Sequence, residues 1–290
     1  MNWQNLAAHI SETTGYIFYI QNTFPISGGC INDTYRIEAN GERYFVKLNS
    51  SDYLDMFEAE AAGLKELQQA SLKVPEPIYW GIVGEHSYLI TEYLVLEGEN
   101  SSISEELGQK LATQHKITQS QFGWLRDNYI GSTPQINTLE NDWVSFWQKH
   151  RLGFQLKVAA RNGYGGRLQK DGQRLISELG HFFSDYQPQA SLLHGDLWSG
   201  NYANNSAKPV IYDPAIYYGD RETDIAMTEL FGGFTKGFYQ AYQETWPLDA
   251  GYKKRKNLYN LYHILNHLNL FGSGYLNQAE RMITSLLRKY

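Results

Sequence analysis

The apolar positions of the first 93 residues change period three times, and each change marks a new element. Leu6, Ala7, Ile10 and Thr14 fall near one stripe of a helix over residues 3–14, which Gly15 ends. Residues 16–36 are rich in aromatic and β-branched side chains and are interrupted by Ser27-Gly28-Gly29, the pattern of strand, glycine turn and strand. Asn40-Gly41 is a two-residue hairpin turn, with a third strand at residues 43–48. Helical spacing returns over residues 54–70, where Phe57, Ala61, Leu64 and Leu67 share a side, and Pro75 and Pro77 stop it. Residues 78–83 and 88–93 then read as two strands around Gly84-Glu85. Beyond Gly98 the spacing is mainly helical, at residues 104–116, 142–160, 169–183 and 258–271. The pattern predicts an α+β chain of two lobes. A β-rich N-lobe of five strands and one internal helix spans residues 1–93, and a mainly helical C-lobe spans 94–290.

The densest chemistry lies in residues 192–201, Leu-Leu-His-Gly-Asp-Leu-Trp-Ser-Gly-Asn. Two apolar residues end a buried strand, a turn presents Asp196, and Asn201 follows five residues later. The catalytic loop of kinases has this spacing: its aspartate accepts the proton of the substrate hydroxyl and its asparagine holds magnesium. Asp213 directly follows the apolar run Val210-Ile211-Tyr212, where a carboxylate can chelate magnesium on ATP phosphates. Lys47 on the third strand can neutralise those phosphates. Glu60 shares the inward face of the next helix with Leu64 and Leu67 and needs a cationic partner, although Glu58 competes for the role. Gly28 and Gly29 would let backbone amides approach phosphate. Glu92, Tyr93 and Leu94 would offer backbone groups to adenine. Singly, each feature also reads as a turn, a cap or a solvated charge. Their order along the chain is that of a kinase-like fold using ATP and Mg2+.

Composition narrows the partners. With 42% hydrophobic and 19% charged residues, the chain can build a sizeable core, and a net charge of −6 disfavours nucleic acid or an anionic membrane as partner. No apolar stretch approaches the roughly 20 residues that span a bilayer, and the N-terminus lacks a signal-peptide pattern, so the expected location is the cytoplasm.

Gly195 and Trp198 stand where protein kinases carry Arg and Lys, and no Ala-Pro-Glu closes an activation segment. The His-Gly-Asp form resembles the aminoglycoside/choline kinase superfamily. Phe122-Gly123-Trp124, residues 127–132 (Asp-Asn-Tyr-Ile-Gly-Ser), Pro134-Gln135, Asp142-Trp143, residues 194–201, Asp213-Pro214-Ala215, residues 219–224 and residues 267–272 are similar, nearly end to end, to the fructosamine kinase family. That resemblance implies a protein-kinase-like fold and transfer of the ATP γ-phosphate to a sugar hydroxyl, typically O3 of a free or protein-bound ketosamine. The product then decomposes and frees the amine, a deglycation repair. A kinase of another small alcohol, such as an aminoglycoside or choline, stays open as a rival, as does a nucleotide-binding pseudokinase.

Trp198 suits stacking on a sugar ring or an amine-bearing arm, or simple packing. Asp220, Glu222 and Asp224 suggest an acidic edge that attracts an amine; the other reading is helix capping and support of the catalytic loop, best filled by Asp224. Asp127, Asn128 and Tyr129 would fix the insert. His263 and His267 are four apart on a helix but lack the glutamate of a zinc HExxH motif.

Cys30, the single cysteine, adjoins Gly28 and Gly29. Amides that attract phosphate would also favour a thiolate, and an oxidised partner would have to come from another molecule, giving a homodimer. After mild peroxide, non-reducing electrophoresis should show a dimer and activity should change reversibly with thiol reductant. A wild type that stays monomeric and responds as Cys30→Ala does would leave Cys30 as a small packing residue.

Overall fold

The computed structural model describes residues 1–27, 31–97 and 101–288, so the expectations attached to Gly28, Gly29 and Cys30 lie outside the described residues. Contacts divide the chain into two units, Met1–Gly98 with Ala203–Tyr212, and Glu99–Tyr202 with Asp213–Tyr290. Nothing in the hydrophobic pattern marks the second stretch of the first unit. It carries most of a hairpin of Tyr202–Asn205 and Lys208–Ile211. The hairpin joins that unit through Ile211 N–H donating to Lys73 O at 3.0 Å and through Glu97 N–H donating to Asn204 O at 2.8 Å.

In the first unit, helix α1 (Trp3–Thr14) starts on the Asn2 side chain, which accepts from the backbone N–H groups of Gln4 and Asn5, and ends at Gly15 with φ +75°. Strands β1 (Ile20–Ile26), β2 (Asp33–Ala39), β3 (Glu42–Ser50), β4 (Pro77–Val83) and β5 (His86–Glu92) form one antiparallel sheet in the order β1-β2-β3-β5-β4. Asn40 and Gly41, both at positive φ, make the tight β2–β3 turn. Leu6 and Ile10 of α1 pack with Ile37, Ala39, Val46, Tyr88 and Ile90. Helix α2 (Leu54–Leu67) buries Phe57, Ala61, Leu64 and Leu67, the stripe read from the sequence.

In the second unit, a 20-residue helix, Tyr252–Phe271, buries Leu258, Leu261, Ile264, Leu265 and Leu268. A small sheet pairs Ala190–Leu193 with Tyr217–Gly219 on one side and Thr118–Gln119 on the other, all antiparallel. The single helix expected at 142–160 is three pieces: Trp143–Phe146, a wide π-type segment Trp147–Leu152, and Gly153–Arg161. At Gly153 a Cβ would lie 2.2 Å from Gln148 O, so the widened turn needs glycine there. Arg151 is fully buried in the same segment and donates to Ile136 O at 2.7 Å and Asn137 Oδ1 at 2.8 Å. The helices Lys236–Thr245 and Leu276–Leu287 were not read from the sequence. Among the described residues no helix is long and apolar enough to cross a membrane.

Candidate functional site

The strand Ala190–Leu193 is buried throughout, and the chain turns sharply after it. Gly195 has φ +83°, and a Cβ there would sit 2.0 Å from Ala215 O, so no other residue fits this turn without moving backbone. Ala215 N–H donates to His194 O at 2.9 Å, tying the turn to the segment after Asp213. The backbone N–H groups of His194 and Gly195 donate to Asp224 Oδ2 and Oδ1 at 2.7 and 2.9 Å. His115 Nε2 lies 3.1 Å from Asp224 Oδ2, and His115 Nδ1 lies 2.8 Å from Tyr242 Oη. Burial works against the Asp224 charge, yet the hydrogen bonds from His115 and the loop backbone hold its carboxyl below the usual range. Burial likewise keeps His115 neutral, so the network assigns its proton to Nε2.

Asp196 follows this anchored turn, its N–H 3.2 Å from His194 Nδ1. Trp198 N–H returns to Asp196 O at 3.2 Å and Asn201 N–H to Trp198 O at 2.9 Å, so the loop closes on itself. Asn201 Nδ2 donates to Asp196 O at 2.8 Å and lies 3.5 Å from Asp196 Oδ2. With its amide nitrogen committed, Asn201 has its carbonyl oxygen to offer a cation. Burial, then the negative charges of Asp213 and Asp224, push the Asp196 carboxyl up to about 7, with the Asn201 hydrogen bond acting the other way. Asp213 is exposed, with φ +54°, just past the strand Lys208–Ile211. Its carboxylate and the Asn201 carbonyl are hard oxygen donors. That chemistry fits Mg2+, which takes few protein ligands and completes its shell with phosphate and water. Among the described residues no cluster of three or more His, Cys, Asp or Glu is built for a metal.

In the first unit Lys47 Nζ donates to Glu60 Oε1 at 2.6 Å, and both side chains are largely buried. Glu92 ends β5; its side chain meets Lys73 Nζ at 3.0 Å and its N–H donates to Glu76 O at 2.8 Å. Tyr93 and Leu94 follow the strand. Trp198 is 39% exposed, edge-on to Phe231.

The acidic edge expected from Asp220 and Glu222 does not exist on the surface. Both are buried. Asp220 accepts from Tyr186 Oη at 3.0 Å, from Glu222 N–H at 3.0 Å and from Tyr259 Oη. Glu222 takes a two-pronged bond from Arg255, Nε to Oε2 at 2.7 Å and Nη2 to Oε1 at 2.9 Å. Desolvating two carboxylates is tolerable only because each is paired inside the fold. They anchor the helix Glu222–Leu230 that carries Asp224.

Asp127 and Asn128 hold the insert. Asn137 N–H donates to Asp127 Oδ1 at 2.7 Å, and Asn128 Nδ2 donates to Ile216 O at 2.8 Å. Gln135 Nε2 reaches Ala215 O at 3.0 Å, so the insert braces the backbone two residues beyond Asp213. Sequence reasoning missed His115, which carries no local signal. The sequence favours a core or surface histidine over a zinc ligand at His263, and His263 is buried, with Nδ1 4.0 Å from Asp196 Oδ1.

Residues 2–289 match the family model described as fructosamine kinase. The chain is 47% identical over 289 residues to a Synechocystis protein named for ketoamine kinase activity, covering 99% of this chain and 97% of the relative. It is 43% identical to the chloroplastic protein-ribulosamine 3-kinase of Arabidopsis thaliana, covering 95% and 86%. A solved structure from Haemophilus somnus, named for fructosamine-3-kinase, superposes with a TM-score of 0.90 at 30% identity, covering 98% and 97%. An aminoglycoside phosphotransferase at 16% identity, covering 98% of each chain with a TM-score of 0.66, shares the fold.

Two outcomes follow from this geometry. Lys47→Ala and Glu60→Ala should be non-additive in kcat/KM, because either change alone breaks the same buried pair. Simple additivity in the double-mutant cycle would reject that coupling. Asp196→Asn should lower kcat by about 10²- to 10⁴-fold yet stabilise the metal-free protein at pH 8. The carboxyl is raised from 3.8 to about 7 in the fold. Its contribution is therefore present below pH 4 and lost as pH rises to 7. Thermal unfolding at pH 4 and pH 8 checks this: the melting temperature of the variant should exceed that of the wild type only at the higher pH.

Proposed function

The chain belongs to the fructosamine kinase family, and from that premise we propose that it transfers the γ-phosphoryl group of ATP to O3 of a fructosamine- or ribulosamine-type ketosamine, with Mg2+ as cofactor. The observation that best supports this reading is the loop 194–201, where a turn anchored on Asp224 presents the Asp196 carboxylate beside Asn201. A carboxylate so placed can take the hydroxyl proton as the oxygen attacks phosphorus and release it afterwards. Asp196 has this role. Lys47, held by Glu60, neutralises phosphate oxygens. Asn201 and Asp213 hold Mg2+, which draws off negative charge from the phosphates when bound.

Adenine is read by backbone groups of Glu92, Tyr93 and Leu94. The Glu92 N–H is spent on Glu76 O and its carbonyl accepts from Thr91 Oγ1 at 3.3 Å, so the two following residues carry most of the contact with the base. Trp198 and Phe231 lead into further ring contacts, Phe231 to His267 at 5.1 Å and His267 to Phe271 at 5.4 Å. Such a row offers flat apolar faces to a sugar and an electron-rich face to a cationic amine. Phosphate on C3 becomes a leaving group once the ketosamine enolises towards its amine-bearing carbon; its expulsion leaves an imine, and water hydrolyses that imine to the free amine and a dicarbonyl sugar. The activity is therefore a repair of glycated amines.

A panel of ribulosamines, fructosamines, aminoglycosides and choline, followed by ATP consumption and by 31P NMR of the products, tests this reading. Turnover should be confined to ketosamines, with phosphate on O3; preferential turnover of an aminoglycoside or choline would overturn it. Asp213→Ala should weaken magnesium-dependent nucleotide binding at least about tenfold, with Asn201→Ala milder. Unchanged affinity in Asp213→Ala would remove Asp213 from the metal site.

A further inference from the structure

The helix Leu276–Leu287 buries Ala279, Ile283 and Leu286, while Arg281, Ser285 and Arg288, spaced four and three residues apart, share an exposed side of it. The helix Gly166–Ser177 packs against it, and Arg167 Nη2 donates to Thr284 Oγ1 at 2.7 Å across the contact. Beside this contact lies a cavity of about 570 Å³, lined by Arg167, Arg281 and Arg288, with Glu280 as the one carboxylate among its described lining residues.

Other helical cations of the surface have a carboxylate one turn away: Lys110 with Glu106, Arg167 with Asp171 and Arg174 with Glu178, at 2.7, 3.2 and 2.8 Å. One turn from Arg281 stand Asn277 and Ser285, and one turn before Arg288 stands Thr284, all uncharged. Neither arginine has an ion pair among the described residues. Arg288 closes its helix, where the macrodipole favours a cation and accounts for it. Arg281 is well short of that end, and Arg167 stands in the first turn of its own helix, where the macrodipole disfavours a cation. Three guanidinium groups around one hollow repel one another, and an anion between them relieves that repulsion.

The chemistry of the walls narrows the anion. Three guanidinium groups face one carboxylate, an excess of two positive charges, and a phosphate monoester carries about −1.5 to −2 near pH 7. Guanidinium forks match phosphate oxygens two at a time. The rest of the described lining is amide and hydroxyl, with no aromatic or aliphatic side chain, so a polyhydroxyl body suits it where a nucleobase or an acyl chain does not. The volume falls within the roughly 300–1,000 Å³ of small-ligand sites and exceeds what a bare phosphate fills. We propose that this cavity binds a sugar phosphate, at a site that shares no residue with the loop 194–201 or Asp213. The inference does not depend on the proposed function.

Calorimetric titration tests it, with glucose 6-phosphate, glucose, inorganic phosphate and AMP as probes. The protein is first saturated with Mg2+ and a non-hydrolysable ATP analogue. Wild type should bind one equivalent of glucose 6-phosphate about tenfold more tightly than inorganic phosphate or AMP, and should ignore glucose. The affinity should fall as sodium chloride rises. Arg281→Ala should weaken binding about tenfold, the double variant Arg281→Ala/Arg288→Ala should abolish it, and Arg281→Lys should keep part of it. Melting temperatures and unchanged basal turnover establish that the variants fold. No saturable binding by wild type, or undiminished binding in the folded double variant, overturns the inference. Inorganic phosphate held as tightly as the ester means an adventitious ion only, and AMP held as tightly removes the selectivity for a sugar; either result overturns the assignment. Each of these results leaves the proposed function standing, since the ketosamine panel tests that reading separately.

Discussion

The Asp224 carboxylate accepts hydrogen bonds from two consecutive backbone amides, those of His194 and Gly195, while His115 lies in hydrogen-bonding reach of the same group. It is almost wholly inaccessible to water, so each of these partners is obligatory: removal of one side of such a network leaves charge or donors uncompensated, at about 3–5 kcal/mol. The rest of the second unit can be read as support for this contact. Glu222 with Arg255, and Asp220 with Tyr186 and Tyr259, pin the helix that carries Asp224. Tyr242 lies on the far nitrogen of His115 and in turn receives Arg221. The insert braces Ala215 and Ile216 from the opposite side through Gln135 and Asn128.

That rigidity holds together groups that repel. Asp196, Asp213 and Asp224 are close enough for the last two to raise the proton affinity of the first. A fold selected for stability alone would separate them or replace one by an amide. Their repulsion is held by scaffold hydrogen bonds, among them those that Asp224 takes from the backbone of His194 and Gly195.

Much of this was legible before any coordinates. The period changes located α1, α2 and the five strands of the first sheet, because a half-buried sheet and an amphipathic helix print their own spacing on the chain. Asp196, Asn201, Asp213, Lys47 and Glu60 stood out as candidates because their order is that of kinase chemistry, and the fold pairs the last two at 2.6 Å. What stayed hidden depends on long-range partners. Arg151 and Asp220 look like solvated charges in sequence, and only the fold supplies the carbonyls, tyrosines and desolvation that make them interior groups. The wide turn at Trp147–Leu152 leaves no periodic trace beyond one glycine. His115 is remote from Asp224 along the chain, and the hairpin after Asn201 changes allegiance through contacts with Lys73 and Glu97 that no local pattern announces.

Gly195 also bears on how such loops evolve. Because Ala215 O occupies the space where its side chain would begin, the step from His-Gly-Asp to the His-Arg-Asp of protein kinases is closed to any single substitution in this background. The segment after Asp213 would have to retreat first, and that segment is itself tied to the insert. Lineages with the two kinds of loop are thus separated by a valley in which the intermediate sequences fold poorly. Transplanting one motif into the other scaffold would require exchanging both segments at once.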